Sequence, residues 1–374
     1  MSVLKSSIAF VVWAVFASPA LAGPAPGHPA LDLLPVEARA AVTGQLAKAG
    51  DNAPSLIDAI VRAPEAQRKA VGYLLAHMPE ADLKGLSADF LLNNVRLSYL
   101  AREATPWAAK IPEELFFDAV LPSVSVNERR DDWRQDFFDR FLPVVRDCPT
   151  AAEAVKRLNV EVFKTLNVAY HATKRPKPDQ SPYESTKAGY ASCTGLSVLL
   201  VDACRAVGIP ARVVGTPRWT DDSGNHTWVE TWDREWSFVG ACEPSKLNEG
   251  WFVEKASKAD ESTPRNRIYA TSFRKGETHF PMVWNRASQD VPAEDVTRRY
   301  TLRRKVTFQS PSGPGEITIR QGGRLIAQDA IDGPAHFELP GDTTYEVIIK
   351  KAIGGEVART VKLTAEAEQV VEIR

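Results

Sequence analysis

The residues best suited to nucleophilic chemistry are one cysteine and one histidine in the middle of the chain. Cys193 stands in Ala-Ser-Cys-Thr-Gly, where a polar segment meets an apolar helical pattern. At a helix N-terminus, unpaired backbone N–H groups favour a thiolate and can bind a developing oxyanion. His226 opens a strand-like run, Asn-His-Thr-Trp-Val-Glu. Because a base on a strand beside such a cysteine can take its proton, the two residues predict a nucleophile and a general base.

An acid that orients the imidazole would complete such a site. Glu243, in Ala-Cys-Glu-Pro-Ser, follows the next strand-like run and is the preferred candidate. Asp233 is the weaker one, because a turn is expected there. Gln180 and Tyr190 are the candidates for a second oxyanion donor, and each is equally explained as a polar surface residue.

Six tryptophans cluster around and after the histidine. Trp219 and Trp228 are candidate walls of an acyl-binding groove that excludes water from a thioester. Packing in a sheet core explains the cluster equally well. Trp219 lies in a Pro/Asp/Ser/Gly loop, so it is predicted to be the most exposed of them.

The elements around these residues follow from hydrophobic periodicity. After Cys193, apolar residues fall on one helical face until Gly208 and Pro210 end the pattern. A two-residue period then predicts strands at residues 211–216, 226–232 and 236–239, forming an antiparallel sheet against the cysteine helix.

Upstream, the pattern is helical over residues 30–103, and further helices are predicted from residue 111 and over 130–145 and 151–166. Residues 174–187 are polar and interrupted by proline, which predicts a loop. Long loops inside compact domains tend to be functional, and this one leads directly into Cys193.

Past residue 291 the chain changes to short strand-like runs separated by Pro/Gly turns, the pattern of a small β-sandwich. Seven runs are predicted, centred on residues 306–308, 317–319, 325–326, 337–339, 345–349, 361–363 and 370–373.

The motifs around Cys193 and His226 resemble those of the transglutaminase-like superfamily. They are Cys-Thr-Gly at 193–195, Arg-Ala-Val-Gly-Ile-Pro-Ala-Arg-Val-Val-Gly at 205–215 and His-Thr-Trp-Val-Glu at 226–230. The resemblance covers about residues 181–252. It implies a papain-like arrangement in which Cys193 attacks an acyl group, His226 shuttles the proton and an acid completes the triad. Relatives usually carry an aspartate after a short strand, so Glu243 departs from the pattern in length and spacing.

The predicted fold is therefore α+β, with a papain-like transglutaminase core in which the cysteine helix packs on an antiparallel sheet. The predicted segments are a signal peptide (1–22), an N-terminal helical region (23–110), a catalytic domain (111–290) and a C-terminal β-sandwich (291–374).

The first residues predict export. Lys5 precedes an apolar run at residues 8–16, and Ala20-Leu21-Ala22 resembles a signal cleavage site. The run is shorter than the roughly 18 to 20 residues that span a bilayer, so we expect no membrane span after cleavage. A formal charge of −1 without a basic block argues against nucleic acid as a partner.

The cysteines and histidines give no sign of a metal site. The six histidines show no paired ligand spacing, and the four cysteines include no Cys-x-x-Cys, so neither a metal nor a cofactor is predicted. Cys204 and Cys193 lie too far apart along one helix to pair. A bridge between Cys204 and Cys242 and a set of buried thiols, Cys148 included, are both open.

The function predicted from these residues is an exported cysteine-dependent enzyme, secreted or periplasmic, that acts on a peptide or amide bond through a thioester. The expected substrate is a peptide or protein, including cell-wall peptide. Hydrolysis is favoured because water is always present. The alternatives are a protein cross-linking transglutaminase and a non-enzymatic cell-surface binding module built on the same scaffold. The oligomeric state is left open.

Overall fold

The structure is a computed structural model that describes residues 27–301, 303–309, 313–341, 344–353, 355–364 and 368–373. The predicted signal peptide, residues 1–22, lies outside the described residues. The chain divides into two units, Met1–Ala76 with Glu80–Ala88 and His77–Pro79 with Asp89–Arg374. Within the part of the chain that is described, every helix falls short of the length and apolarity that a bilayer crossing requires.

The first unit is helical, as its leucine and alanine spacing predicted. Its helices are α1 (Val36–Lys48), α2 (Ala53–Arg62), α3 (Arg68–His77) and α4 (Glu80–Gly85). In α2, Leu56 and Ile60 are fully buried whereas Val61 is exposed. The helix therefore buries one face, which is what residues three and four apart produce.

The second unit also contains helices, several of which contact the helix that begins at Cys193. They are α5 (Ala88–Ala104), α6 (Glu113–Ala119), α7 (Arg134–Val145), α8 (Ala151–Leu166), α9 (Pro182–Ala188), α10 (Cys193–Ala206), α11 (Val253–Ala256) and α12 (Thr297–Tyr300). The predicted helix over 151–166 is confirmed, and the Thr150 hydroxyl accepts a hydrogen bond from the backbone N–H of Glu153 as its cap.

Two local predictions were wrong. Helix α7 begins at Arg134 and not at residue 130, because the Glu128 carboxylate binds the backbone N–H groups of Ser125 and Val126 and holds that segment in a turn. The segment 174–187 is not wholly a loop, since it contains the start of α9. Ser181 and Glu184 form a capping box there, with proline at the first helical position, where proline is favoured.

A six-stranded antiparallel sheet lies against α10. Its strands are β3 (Ala211–Thr216), β4 (His226–Asp233), β5 (Glu235–Val239), β6 (Tyr269–Thr271), β7 (Thr278–His279) and β8 (Pro292–Asp295), in the order β5-β4-β3-β6-β8-β7. A short parallel pair, β1 (Ala169–Tyr170) and β2 (Tyr190–Ala191), leads into α10. The register sets His226 opposite Thr216. The predicted helix and sheet are thus confirmed.

The seven predicted C-terminal strands are also confirmed. They are β9 (Arg303–Gln309), β10 (Pro314–Gln321), β11 (Arg324–Asp332), β12 (Ala335–Pro340), β13 (Thr344–Lys351), β14 (Glu356–Lys362) and β15 (Glu368–Glu372). They form two sheets, ordered β11-β10-β13-β14 and β12-β9-β15. Phe308 and Tyr345 are fully buried in the core, and Phe337 packs against it.

The sheet beside α10 continues past residue 291, where the sequence predicted the C-terminal segment to begin. Strand β8 pairs with β6, and α12 follows it. Tyr300 of α12 accepts a hydrogen bond from Trp228 Nε1 at 2.9 Å and donates one to Glu230 at 2.8 Å. Residues of β8 and α12 therefore lie with the elements around His226.

Candidate active site

Cys193 is the first residue of α10, and the rest of that helix is buried. Ser192 precedes it in an extended conformation and serves as the N-cap. A Cβ at Gly195 would lie 3.0 Å from the Ala191 side chain and 3.4 Å from Ser185 Oγ, so a glycine allows β2 and α9 to approach the first turn closely. Cys193 itself is partly exposed, which leaves the N-terminal end of α10 open to a reactant.

The start of β4 lies beside the sulfur of Cys193. The backbone N–H groups and the hydroxyls of Thr227 and Thr194 act on the Cys193 thiol and lower its pKa. The Thr194 and Thr227 hydroxyl oxygens are 3.1 Å apart. Since Thr227 follows His226, the start of the cysteine helix lies beside the start of the histidine strand, while the pairing of Cys193 with His226 stays a prediction.

The His226 side chain is 7% exposed and is surrounded by aromatic rings. Its ring centroid lies 4.7 Å from Trp251, 5.0 Å from Phe252, 5.8 Å from Trp228 and 6.2 Å from Trp219. Burial among these groups lowers the pKa of His226 to about 4. Its Nε2 atom is buried and has no hydrogen-bond partner among the described residues.

The protonation states differ from the sequence expectation. Burial raises the pKa of the Cys193 thiol, and the hydrogen bonds from Thr227 and Thr194 offset only part of that rise. The two pKa shifts favour the neutral forms, a thiol on Cys193 and an imidazole on His226. The helix N-terminus was expected to favour a thiolate, but desolvation of the sulfur outweighs its hydrogen bonds.

Glu243 lies in the loop after β5, and its carboxylate points toward Gly240 and Trp251. Trp251 Nε1 donates a hydrogen bond to Glu243 Oε1 at 3.0 Å. A Cβ at Gly240 would clash with Glu243 Oε2, so glycine is needed for this orientation. Burial raises the pKa of the Glu243 carboxyl, and the bond from Trp251 acts in the opposite direction.

Glu243 and His226 contact the same indole, that of Trp251. The carboxylate does not bind His226 Nε2, which has no partner in the described part of the chain. The role of Glu243 as the third member of a triad stays a prediction.

The rival acid, Asp233, is the last residue of β4, whereas His226 is the first. At about 3.3 Å per residue along a strand the two are more than about 20 Å apart. Asp233 Oδ2 accepts a hydrogen bond from the backbone N–H of Ala152 at 3.1 Å. The Asp233 carboxylate therefore binds the first turn of α8, away from His226.

The two oxyanion candidates lie before Cys193 and are engaged by other groups. Gln180 is fully buried, and its Nε2 donates to the carbonyls of Tyr190 at 3.0 Å and Glu184 at 3.4 Å. The Tyr190 ring is exposed. Its centroid lies 5.7 Å from that of His171 in an edge-on arrangement, and Lys174 Nζ lies 5.8 Å from the centroid. Neither side chain is shown to reach the sulfur, so both roles stay predictions.

The prediction that Trp219 is the most exposed tryptophan was wrong. Trp219 is 4% exposed and stacks on the fully buried Trp228, with ring centroids 6.1 Å apart. The exposed ring beside the imidazole is Trp251, at 58%. Nothing in the sequence distinguishes Trp251 from the other tryptophans. Its contact with His226 depends on the path that the chain takes back toward His226 after β5.

All four cysteines are free. Burial raises the pKa of Cys204, and Cys148 is buried as well, whereas Cys242 is partly exposed. Of the two open alternatives, the structure has free thiols and no bridge between Cys204 and Cys242. Among the described residues, no group of three or more histidine, cysteine, aspartate or glutamate side chains is arranged to hold a metal ion.

Among solved structures, the chain is similar to a candidate cysteine protease from Cytophaga hutchinsonii, with a TM-score of 0.29 and 15% identity over 38% of this chain and 48% of that one. It is also similar to red sea bream transglutaminase, with a TM-score of 0.28 and 10% identity over 73% of this chain and 59% of that one. This chain thus spans about half and about three fifths of the two neighbours.

No curated protein matches the sequence. Residues 142–252 match the profile of the Transglutaminase-like superfamily, a stretch that includes α8, α10, β3, β4 and β5. Cys193, His226 and Glu243 all fall within it. Residues 142–252 of this chain are therefore similar to a transglutaminase-like core, as the motifs around Cys193 and His226 predicted.

Proposed function

We propose that this protein is an exported cysteine-dependent acyl-transfer enzyme that cleaves a peptide or amide bond through a thioester on Cys193. The observation that carries the proposal is the position of the sulfur, which lies at a helix N-terminus and accepts a hydrogen bond from Thr227, the neighbour of His226. The superfamily match of residues 142–252 supports it.

In the proposed reaction, the Cys193 thiol gives its proton to the imidazole, and the thiolate forms a C–S bond with the acyl carbon. The backbone N–H groups at the start of α10 would stabilise the oxyanion. The C–N bond then breaks as the imidazolium protonates the leaving nitrogen. Water attacks the thioester and gives a proton to the imidazole, and that proton returns to sulfur as the C–S bond breaks.

The acid has a specific part in this scheme. A buried imidazolium is unfavourable among aromatic rings, as the low pKa of His226 indicates. A nearby carboxylate would lower that cost, and Glu243 is the acid that touches the same indole as His226. We therefore assign to Glu243 the stabilisation of the imidazolium.

The test is a peptide and muropeptide library treated with wild type, Cys193→Ala and Cys148→Ala. Cys148 is a buried thiol in the turn after α7 and serves as the matched control. We expect cleavage by wild type and Cys148→Ala but none by Cys193→Ala, together with an acyl adduct on Cys193 in intact-mass spectra. Cleavage that survives in Cys193→Ala would disprove the proposal.

Hydrolysis and cross-linking are separated by the acceptor of the acyl group. With a fluorescent primary amine present, a hydrolase releases mainly free acid, whereas a cross-linking transglutaminase incorporates the amine. We expect free acid. Predominant incorporation of the amine would favour the cross-linking alternative.

A non-enzymatic binding module is the second candidate, and one observation favours it. His226 Nε2 has no partner among the described residues, and Glu243 binds Trp251 instead. This candidate predicts no turnover and no acyl adduct, with peptide binding that is equal in wild type and Cys193→Ala.

Export is proposed from residues 1–22 alone. Expression with the full leader should yield a mature chain that begins at Gly23 outside the cytoplasm. N-terminal sequencing of the protein from each cell fraction measures this, and an intact leader on all of the protein would contradict it.

A further inference from the structure

Two threonine side chains enclose the Cys193 sulfur between the cysteine helix and the histidine strand. Thr194 is the second residue of α10 and Thr227 the second of β4. They are 2% and 4% exposed, and their hydroxyl oxygens lie 3.1 Å apart. The backbone N–H and the hydroxyl of each residue act on the sulfur and lower the pKa of the Cys193 thiol. The sulfur therefore faces a compact set of uncharged donors.

Hydroxyl hydrogens rotate to suit their acceptors. Beside a neutral thiol, one hydroxyl can donate its hydrogen to the other across the 3.1 Å separation. When the sulfur becomes an anion, both can turn their hydrogens toward it. Hydrogen bonds to charged groups are roughly twice as strong as those between neutral groups, so this rearrangement favours the thiolate specifically.

Charged side chains on the elements packed against α10 have partners of their own. Glu184 of α9 pairs with Lys177, and Arg212 of β3 pairs with Glu230 of β4. On α8, Lys156 pairs with Glu153 and Lys164 pairs with Glu161. Arg134 of α7 binds backbone carbonyls. His226 is the titratable neighbour on β4, and it is surrounded by aromatic rings. Thiolate stabilisation must therefore come largely from neutral donors.

We propose that the Thr194 and Thr227 hydroxyls are catalytic hydrogen-bond donors that stabilise the Cys193 thiolate when the thiol proton moves to His226. Only that proton changes its covalent partner, from sulfur to an imidazole nitrogen. The inference rests on the proposed role of Cys193 as the nucleophile, but it concerns a property of the thiol that is measured without turnover.

The test is the pH dependence of Cys193 alkylation by iodoacetamide in the full chain, read by mass spectrometry of the peptide that contains Cys193. Thr227→Val replaces the hydroxyl by a methyl group of similar shape, and we expect on the order of tenfold slower alkylation at a pH below the thiol pKa. Thr227→Ser keeps the hydroxyl and should retain the wild-type profile. Thr194→Val should act in the same direction from the helix side.

Thr231→Val is the matched control. Thr231 is also buried and lies on the same face of β4 as Thr227. It is four residues further along the strand and therefore farther from the sulfur. It should leave the profile unchanged. A wild-type profile in both Thr227→Val and Thr194→Val, or an equal slowing in Thr231→Val or Thr227→Ser, would overturn the inference.

The same variants separate this inference from the proposed function. If wild type cleaves no peptide while Thr227→Val still slows alkylation, the proposed reaction fails and the role of the threonines in thiolate stabilisation stands. If Thr227→Val loses the wild-type circular dichroism spectrum, the comparison of Thr194→Val with Thr194→Ser decides the question.

Discussion

The state of His226 is set by the side chains around it. Aromatic rings surround the imidazole, and its Nε2 has no hydrogen-bond partner among the described residues. Such surroundings favour the neutral form, which is the form that a general base needs. The same surroundings raise the free energy of the charged imidazolium. In the proposed reaction, an acid is therefore needed to stabilise it after the Cys193 proton has moved to His226.

The depressed pKa of His226 predicts a loss of stability in acid. Its folded value of about 4 lies below the ordinary 6.5, so between these values the unfolded chain binds a proton that the folded chain does not. This contribution is present above pH 6.5 and is lost as the pH falls toward 4. We expect wild type to lose about 2 kcal/mol of unfolding free energy more than His226→Gln between pH 7 and pH 5.

Urea unfolding of both proteins at the two pH values measures this difference. The His226→Gln variant cannot titrate at that position, so it serves as the reference for all other groups. An equal loss in the two proteins would mean that His226 titrates normally.

Glu243→Gln tests the assigned acid. A glutamine oxygen can still accept the hydrogen bond from Trp251, so folding should be preserved while the negative charge is removed. We expect turnover to fall on the order of a hundredfold or more, because the imidazolium loses its countercharge. Asp233→Asn, at the far end of β4, is the control and should keep near wild-type turnover. Unchanged turnover in Glu243→Gln would assign the role to another acid.

At the scale of elements, one buried side chain on α8 holds the loop that carries Glu243. Asn159 Nδ2 donates to the carbonyls of Gly240 at 2.9 Å and Glu243 at 3.0 Å, and its Oδ1 accepts from the backbone N–H of Cys242 at 2.9 Å. Cys242 has a positive φ of 66°, a conformation that non-glycine residues rarely adopt. The bonds to Asn159 therefore help to maintain an unfavourable backbone shape next to the acid.

Asn159→Ala should release this loop. One buried and two partly buried hydrogen bonds to the backbone would be lost, so we expect a loss of about 2 kcal/mol or more in unfolding free energy. Turnover should fall as well, because Glu243 is no longer positioned. Lys156→Ala, which removes an exposed side chain of the same helix, should change neither quantity measurably. Denaturant unfolding of the two variants decides the matter, and equal midpoints would contradict the role of Asn159.

At the scale of the molecule, the C-terminal strands are linked to the segment before them through a buried carboxylate. Glu261 is 6% exposed and accepts hydrogen bonds from Arg303 at 2.6 Å and Arg298 at 3.1 Å. Arg303 begins β9, the central strand of the three-stranded sheet. Gln321 of β10 adds a hydrogen bond to Asp260 at 3.0 Å.

Glu261→Gln should weaken this connection. Removing the charge of Glu261 leaves the partly buried Arg303 without its countercharge, and we expect a loss of about 1 to 3 kcal/mol in unfolding free energy. We expect a lower thermal midpoint and faster proteolysis near residue 302. Glu254→Gln removes an exposed carboxylate that pairs with Lys258, and it should have no measurable effect. Proteolysis at the wild-type rate in Glu261→Gln would show that other contacts hold the strands.

The sequence by itself determined the elements and singled out the candidate nucleophile. Periodicity located the helix that begins at Cys193, the strand that begins at His226 and all seven C-terminal strands, because these patterns depend on neighbours along the chain. The sequence also contains the start signal of α9, since Ser181 and Glu184 form a capping box. Pro182 marks the first turn of this helix and not a break in structure.

Only the tertiary structure decided the environment of the site. The burial of Trp219, the contact of Trp251 with His226 and the bond between Trp251 and Glu243 join residues from different loops and strands. Desolvation, which sets the protonation of Cys193 and His226, depends on everything packed around a side chain. Neither the path of the loop after β5 nor the burial of a side chain is encoded by local spacing, so the sequence singles out Cys193 and His226 as candidate reactive residues but not their charge state.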